Sequence, residues 1–252
     1  MVFSVPADAY DRFMGRYSVQ LSPQLADLAG VEAGQRVVDV GCGPGALTQE
    51  LVRRVGAKAV SAAEPSGEFV AAVVQRLPGV DVRQAAAEEL PFADGEFDAA
   101  LSQLVVHFMA DPVRGVSEMK RVTRAGGVVA ASVWDFGGQQ SPLGPFWRVA
   151  RELDPELEDE SDRVGGTQGA LGELFTQVGL EEVEETALPV HVEHSVFDEW
   201  WEPFTLGVGP AGAYFNRLDP ARQAELRQGL REHLGESFTL PARAWAARGV
   251  VR

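Results

Sequence analysis

The sequence predicts an α/β fold in which a doubly wound, mostly parallel sheet carries helices on both faces. Between residues 35 and 190, short apolar runs alternate with segments of helical periodicity, which is typical of consecutive βαβ units. The first apolar run, Arg36 to Gly41, is rich in β-branched residues and ends in glycine. Such a run is typical of a buried strand that leads into a tight turn.

Each further element of this region follows from its own local pattern. Leu47, Leu51 and Val55 are spaced four apart, which places them on one face of a helix after the first strand. A later helix is predicted to begin at Asp111-Pro112 and to end at Gly126-Gly127, because these pairs are typical start and stop signals. Four other apolar runs predict the second to fifth strands, over residues 58–63, 80–82, 97–101 and 128–134.

The remaining segments predict additions to one domain rather than a second domain. Residues 1–34 are expected to form an N-terminal helical arm. The aromatic-rich residues 197–235 are expected to form a helical cap inserted between the last two strands. The core then comprises residues 35–196 and 236–252, and residues 1–252 form a single domain. Smaller elements are predicted as a short helix over 172–179, an extended segment over 180–190 and a last strand over 237–246.

Composition limits the classes of partner. The chain has 252 residues and a net charge of −15, whereas a protein that binds duplex DNA needs a dense basic face, so no nucleic-acid partner is expected. No apolar stretch approaches about 18 residues, so we expect no membrane span. Cys42 is the single cysteine, and the first eight residues do not resemble a signal peptide. We therefore expect a cytoplasmic protein.

A glycine-rich loop, Gly41 to Ala46, lies between the first strand and the first helix of the sheet. A parallel sheet presents backbone N–H groups and a helix N-terminus to a ligand at this position. Glycine lets the ligand approach the backbone because no Cβ intervenes. A second glycine pattern, Gly207 to Gly212, follows residues 201–204, which do not resemble a strand. We assign that second pattern to a loop without a cofactor.

Two acidic residues accompany the glycine-rich loop. Glu64 lies about 20 residues after Gly43, at the end of the second strand, where a carboxylate can accept both ribose hydroxyls. Asp39 lies inside the first strand, where an acid is costly unless it orders the loop or faces a cationic cofactor. The loop and Glu64 do not separate nicotinamide from other adenosine cofactors. An NAD-dependent oxidoreductase and a non-catalytic cofactor-binding module therefore remain alternatives.

Four segments, taken together and in order, resemble class I S-adenosylmethionine-dependent methyltransferases. More narrowly, they resemble the ubiquinone/menaquinone-type group that acts on small molecules. The segments are residues 38–45, 64–66, 89–98 and 118–127, so that the resemblance covers about residues 35–135. It implies a Rossmann-like fold, S-adenosylmethionine as the cofactor and methyl transfer to a small-molecule substrate. Four motifs in order are more specific than one glycine loop.

The resemblance also implies where the ribose and methionine portions of the cofactor bind. Gly41 and Gly43 are expected to hold the methionine portion through backbone contacts. Glu64 is expected to accept the ribose hydroxyls, and Pro65 to pack on the adenine. The N-terminal arm resembles the segment that folds over the cofactor in relatives, so that Arg16 is a candidate partner for the methionine carboxylate.

At the adenine edge the sequence departs from the family pattern. Ala87 and Glu88 occupy positions that usually meet this edge, but Ala86 stands where relatives often carry an aspartate for the adenine amino group. Glu88 or a backbone carbonyl would have to replace that contact. Ser102 and Gln103, at the end of the fourth strand, are expected near the amino group and the sulfonium.

The implied reaction is an in-line displacement in which the cofactor brings the methyl group and the protein aligns the acceptor. His107 is the candidate general base, because imidazole titrates near neutrality and this residue follows the fourth strand. Aromatic residues of the cap are candidates for an acceptor pocket, which favours a small, partly apolar organic acceptor. These residues are Trp200, Trp201, Phe204, Tyr214 and Phe215.

No metal site is predicted. His191 and His194 are three residues apart, but no cysteine or clear third ligand accompanies them. The acidic run from Asp154 to Asp162 is interpreted as a solvated loop. The oligomeric state and the acceptor atom are not predicted.

Overall fold

A computed structural model describes residues 11–207 and 209–252 of the chain. Its centre is a seven-stranded sheet, which confirms the predicted α/β class. The strands are β1 (Val37–Val40), β2 (Val60–Glu64), β3 (Asp81–Gln84), β4 (Phe97–Gln103), β5 (Thr123–Trp134), β6 (Glu181–His194) and β7 (Phe238–Val250). The prediction for the N-terminal arm can be compared with the structure only from Asp11 onward.

The strands are arranged in the order β3-β2-β1-β4-β5-β7-β6. Strands β1 to β5 pair in parallel, while β7 pairs antiparallel with both β5 and β6. The sheet is therefore doubly wound and mostly parallel, as predicted. The strand order reverses at β1, which has β2 on one side and β4 on the other. In such sheets, ligands bind in the crevice beyond the carboxyl ends of the strands at this reversal.

Helices connect most of the strands, and several of them lie between the last two strands in sequence. In the described part of the chain they are α1 (Arg16–Leu28), α2 (Ala46–Val55), α3 (Gly67–Arg76), α4 (Pro112–Val122), α5 (Gly144–Leu153), α6 (Ala170–Gln177), α7 (Phe197–Thr205), α8 (Gly209–Arg217) and α9 (Pro220–Leu234). A single π-helical turn precedes α1. Helices α7, α8 and α9 lie between β6 and β7, where the cap was predicted.

The predicted end of α4 is wrong by several residues. The helix ends at Val122, and the Gly126-Gly127 pair lies inside β5 instead. A Cβ on Gly127 would lie 2.6 Å from the carbonyl oxygen of Asp98, so glycine is required by the close approach of β4. The pairing of β4 with β5 shifts register beside the same residue, Asp98. The glycines mark a strand irregularity rather than a helix stop.

Two assignments after Trp134 also change. Helix α5 was not predicted, and the acidic run that follows it is not uniformly solvated. Glu160 is only 3% exposed, and its Oε2 accepts a hydrogen bond from Trp147 Nε1 at 3.1 Å. The second glycine pattern, Gly207 to Gly212, spans the connection from α7 into α8, apart from residue 208, which lies outside the described residues.

Candidate active site

A cavity of about 230 Å³ opens at the carboxyl ends of β1, β2 and β4, where the strand order reverses. Most of its lining comes from the glycine-rich loop with the start of α2, from the end of β2, and from residues 86–88, 103–105 and 108–110. Ser18, Asp39 and Phe69 complete the lining. Its walls therefore come from segments that are far apart in sequence but adjacent at one edge of the sheet.

Two positions of the glycine-rich loop, Gly41 and Gly43, require glycine for different structural reasons. Gly41 has φ +75°, and a Cβ there would lie 2.5 Å from Val105 Cγ1, so that packing excludes any side chain. Gly43 has φ +52°, and a Cβ there would meet no atom of the described residues within 4 Å. Gly43 lines the cavity, so its missing side chain leaves room for a ligand against the backbone.

Glu64 connects the end of β2 to the glycine-rich loop. Its Oε2 accepts the N–H of Gly43 at 3.0 Å, and its Oε1 accepts the N–H of Ser66 at 2.9 Å. Burial raises the pKa of this carboxyl, and the two backbone donors oppose that rise. Because a carboxylate has about four lone-pair sites, Glu64 can accept two further donors from a ligand in the cavity.

Asp39 lines the cavity and has one buried carboxylate oxygen that accepts no hydrogen bond within the described residues. Its Oδ2 accepts the Thr48 hydroxyl at 2.7 Å, whereas its Oδ1 has no hydrogen-bond partner in the described part of the chain. Burial raises the pKa of Asp39 to about 7. A buried acceptor left unpaired is costly, so the position fits a ligand that brings an N–H donor or a positive charge.

Gln103 adds a second unpaired acceptor at the same cavity. Its Nε2 donates to the carbonyl of Ser18 at 3.2 Å, while its Oε1 is buried without a partner among the described residues. The ammonium group of S-adenosylmethionine could donate hydrogen bonds to the unpaired oxygens of Asp39 and Gln103, and its sulfonium would add a positive charge near them. These residues therefore fit that cofactor. The open space beside Gly43 would allow the cofactor to lie against the backbone of the loop.

Ala86, Ala87 and Glu88 form another part of the cavity wall. The Oε1 of Glu88 accepts the N–H groups of Ala110 at 2.7 Å and Asp111 at 3.2 Å. This carboxylate therefore ties the wall to the segment that enters α4. Pro65 also lines the cavity.

Three residues predicted at the cofactor site or beside it do not line this cavity. Ser102 is fully buried, and its hydroxyl donates to the carbonyl of Val40 at 3.0 Å, so Gln103 alone of that pair reaches the cavity. Arg16 Nη1 lies 3.1 Å from His194 Nδ1, and the residue lines a neighbouring groove. His107 lines a second, smaller chamber. In this structure, Ser102 and Arg16 are instead paired with other residues of the protein, Val40 and His194.

The second chamber, of about 40 Å³, adjoins the cavity, and Leu104 and Phe108 line both spaces. Leu104 has φ +62°, a left-handed conformation that costs a non-glycine residue about 1–2 kcal/mol. Its N–H donates to the carbonyl of Ser132 at 2.8 Å, which holds it in place. Such strain is typical of functional sites, but a sequence pattern carries no signal for it.

His107 forms part of the wall of the chamber. Its ring lies 3.9 Å from Phe108 and 5.1 Å from Phe136 between centroids, and its Nδ1 is buried without a partner in the described chain. Burial, with a smaller contribution from the charge of Arg163, lowers the pKa of His107 to about 3. The imidazole is therefore neutral near physiological pH.

The aromatic residues predicted to line an acceptor pocket pack against other aromatic rings instead. Phe204 stacks on Phe146 at 4.8 Å, and Trp201 meets Phe215 edge to face at 5.1 Å. None of the five predicted residues lines the chamber, because they pack against one another and against rings of the arm, α5 and β7. The aromatic wall comes from other segments: Phe13, Phe108, Trp134 and Phe136.

A doubly wound sheet with a bare glycine turn and a carboxylate at the end of the next strand defines an enzyme core that binds an adenosine cofactor. Comparison with known proteins narrows this class. The methyltransferase domain model matches residues 38–131. An "Uncharacterized methyltransferase" of Mycobacterium sp. (strain KMS) is 38% identical over 180 residues, which cover 68% of this chain and 71% of the relative.

A second relative carries the name of the cofactor. The "Probable S-adenosylmethionine-dependent methyltransferase" of Mycolicibacterium smegmatis (strain ATCC 700084 / mc(2)155) is 32% identical, with 68% of each chain covered. Among solved structures, the YcgJ protein of Bacillus subtilis superposes with a TM-score of 0.58 at 18% identity, covering 94% of this chain and 98% of that one. This likeness supports the fold alone.

The chain belongs to the S-adenosylmethionine-dependent methyltransferases. S-adenosylmethionine is its cofactor, in agreement with the unpaired acceptors at the cavity. Among the described helices, none has both the length and the apolar character that crossing a bilayer requires.

Proposed function

We propose that this chain transfers the methyl group of S-adenosylmethionine to a small, partly apolar organic acceptor by in-line displacement. The observation that carries the proposal is the apolar chamber that shares Leu104 and Phe108 with the larger cavity. A cofactor in the cavity and an acceptor in the chamber would meet at this shared wall. Proximity of this kind supplies a large part of the rate enhancement in two-substrate reactions.

The residues proposed to hold the cofactor surround the larger cavity. Asp39 and Gln103 would receive the donors and positive charge of the methionine portion through their unpaired oxygens. Gly41 and Gly43 would form the turn, and Glu64 would accept the ribose hydroxyls. When bound, S-adenosylmethionine supplies an electrophilic methyl group on a sulfonium, which an acceptor atom attacks.

The proposed adenine contacts come from Pro65, Ala87 and Glu88, and all three line the cavity. Arg16 and Ser102 would need to give up their present partners, His194 and Val40, before they could contact the cofactor. The test for both is whether Arg16→Ala or Ser102→Ala weakens binding of S-adenosylhomocysteine; unchanged affinity would remove the residue from the site.

The proposed role of Glu64 predicts a loss of affinity on substitution. Glu64→Gln puts an amide NH₂ opposite a backbone N–H and removes lone pairs needed for two hydroxyls. Each lost hydrogen bond to a charged group is worth about 1.5–3 kcal/mol, so affinity for S-adenosylhomocysteine should fall by roughly 10- to 100-fold. Calorimetry measures this. The exposed Glu68, replaced by glutamine, is the control and should bind like wild type.

The neutral imidazole of His107 is proposed to receive a hydrogen bond from the acceptor. Because its pKa is about 3, its titration should not appear in the pH dependence of turnover between pH 5 and 8. His107→Phe should lower kcat at least about tenfold, with affinity for S-adenosylhomocysteine unchanged. An acceptor for this assay comes from a methyl-transfer screen over phenols, quinones, sterol-like compounds and amines. Wild-type kcat in His107→Phe would contradict the role.

We also propose a location, a class of partner, a subgroup and a domain organisation for this chain. We place the protein in the cytoplasm, with a small-molecule substrate and neither nucleic acid nor membrane as a partner, because the chain is acidic and contains one cysteine. Within the family, the four motifs favour the ubiquinone/menaquinone-type group. We also propose that the arm and the cap belong to one domain with the core.

A further inference from the structure

A buried carboxylate lines the apolar chamber at a place where no sequence pattern indicated a functional residue. Glu160 is 3% exposed and lies in the chamber wall with aromatic neighbours such as Phe13, Trp134 and Phe136. Burial raises its pKa, which shows how unfavourable the surroundings are for its charge. A carboxylate in such a place is costly unless a donor satisfies it.

Among the described residues, only one of the two carboxylate oxygens of Glu160 accepts a hydrogen bond. Oε2 accepts the indole N–H of Trp147 at 3.1 Å. Oε1 lies 4.0 Å from Arg163 Nε, which is beyond hydrogen-bond distance, and that Nε is itself unpaired in the described part of the chain. The hydrogen bond from Trp147 fixes the position of the carboxylate, while Oε1 forms only a long ion pair with Arg163 and can still accept a donor from the chamber.

On the basis of the proposed function, we propose that Glu160 recognises the methyl acceptor and selects acceptors that carry a hydrogen-bond donor, an O–H or N–H group, on a flat apolar body. The aromatic wall of the chamber would hold the apolar body, and Oε1 would accept the donor. A site that offers a buried acceptor discriminates strongly against a ligand without the matching donor, because the acceptor is then left unpaired.

The chamber has to enlarge before an aromatic ring can bind in it. Its volume of about 40 Å³ is well below the roughly 150 Å³ of a cavity that holds benzene. Leu104 and Trp134 border the chamber from the ends of the sheet, whereas Phe13 and Met14 come from the N-terminal arm and Pro210 from the cap. The arm and the cap are therefore the walls that would yield, while Glu160 stays tied to Trp147.

The test compares phenol with anisole, two ligands with the same ring that differ in the O–H donor. Binding of each to the full chain is measured by calorimetry, with and without saturating S-adenosylhomocysteine. Wild type should bind phenol at least about tenfold more tightly than anisole, and Glu160→Gln should bring this ratio close to one. The exposed Glu158 of the same segment, replaced by glutamine, is the matched control and should keep the wild-type ratio.

The outcomes separate the two proposals. Failure of wild type to bind S-adenosylhomocysteine would overturn the proposed function, while the phenol-to-anisole ratio still tests Glu160. Equal affinity for phenol and anisole in wild type would overturn the role of Glu160 without any variant. A wild-type ratio retained in a folded Glu160→Gln protein would overturn it as well, because the donor preference would then arise elsewhere.

Discussion

Replacing Gly43 with alanine should lower the affinity for S-adenosylmethionine at least about a hundredfold while the protein keeps its fold. Within the described part of the chain, the added methyl would meet no atom within 4 Å, so it would occupy the space that the cofactor needs. A hundredfold loss corresponds to about 2.7 kcal/mol. The backbone has φ +52°, so the substitution also costs roughly 1–2 kcal/mol of stability.

The chain provides a matched control for the backbone cost of this substitution. Gly30 has φ +65° and is exposed, and an added Cβ there would also have no atom of residues 11–207 and 209–252 within 4 Å. Gly30→Ala should therefore destabilise the protein about as much as Gly43→Ala but bind the cofactor like wild type. Calorimetry and thermal denaturation of both variants test this. Wild-type affinity in Gly43→Ala would show that the cofactor does not pass along this backbone.

Replacing Asp39 with asparagine should weaken cofactor binding and stabilise the cofactor-free protein. The pKa of the buried carboxyl is about 7, against about 3.9 in an unfolded chain. The buried charge therefore lowers the free energy of unfolding as the pH rises above about 4, and this loss reaches its full size above about pH 7. At pH 8, Asp39→Asn should raise stability by roughly 1–4 kcal/mol, and at pH 4 it should change little.

The same carboxyl should make cofactor binding depend on pH. A positively charged ligand favours the ionised form, so affinity should fall by up to about tenfold per pH unit below pH 7. Asp39→Asn should lower affinity at pH 8 by roughly 10- to 100-fold and remove this dependence. Calorimetry at pH 6, 7 and 8 measures both effects. As a control, replacing the exposed Asp162 with asparagine should alter neither stability nor binding. A destabilised Asp39→Asn protein with wild-type affinity would contradict the proposed contact between Asp39 and the cofactor.

The parts of the protein that were predictable from the sequence are those specified by short, continuous patterns. The run from β1 through the glycine-rich loop to α2 has its strand, turn and helix signals within about 20 residues. Glu64 follows from its position at the end of the next strand. The sheet class followed because strands and helices alternate regularly, and the helical cap followed from its composition.

The chamber was not predictable, because its walls meet only in the folded chain. Phe13, Phe136 and Glu160 come from three separate segments, and Glu160 lies in an acidic run that resembles a solvated loop. The choice between Ser102 and Gln103 depends on which residue ends β4 at the cavity, and strand boundaries are the least certain part of any sequence-based assignment. The pairing of Arg16 with His194 joins residues 178 apart, which no local pattern encodes.

The central claim is that the cavity at the glycine-rich loop binds S-adenosylmethionine and its demethylated product, S-adenosylhomocysteine, rather than a dinucleotide. Parallel calorimetric titrations of the wild-type chain with S-adenosylhomocysteine and with NAD⁺ test it most directly. We expect saturable one-to-one binding of S-adenosylhomocysteine and no heat of binding with NAD⁺. Saturation by NAD⁺, or the absence of any heat with S-adenosylhomocysteine, would contradict the claim.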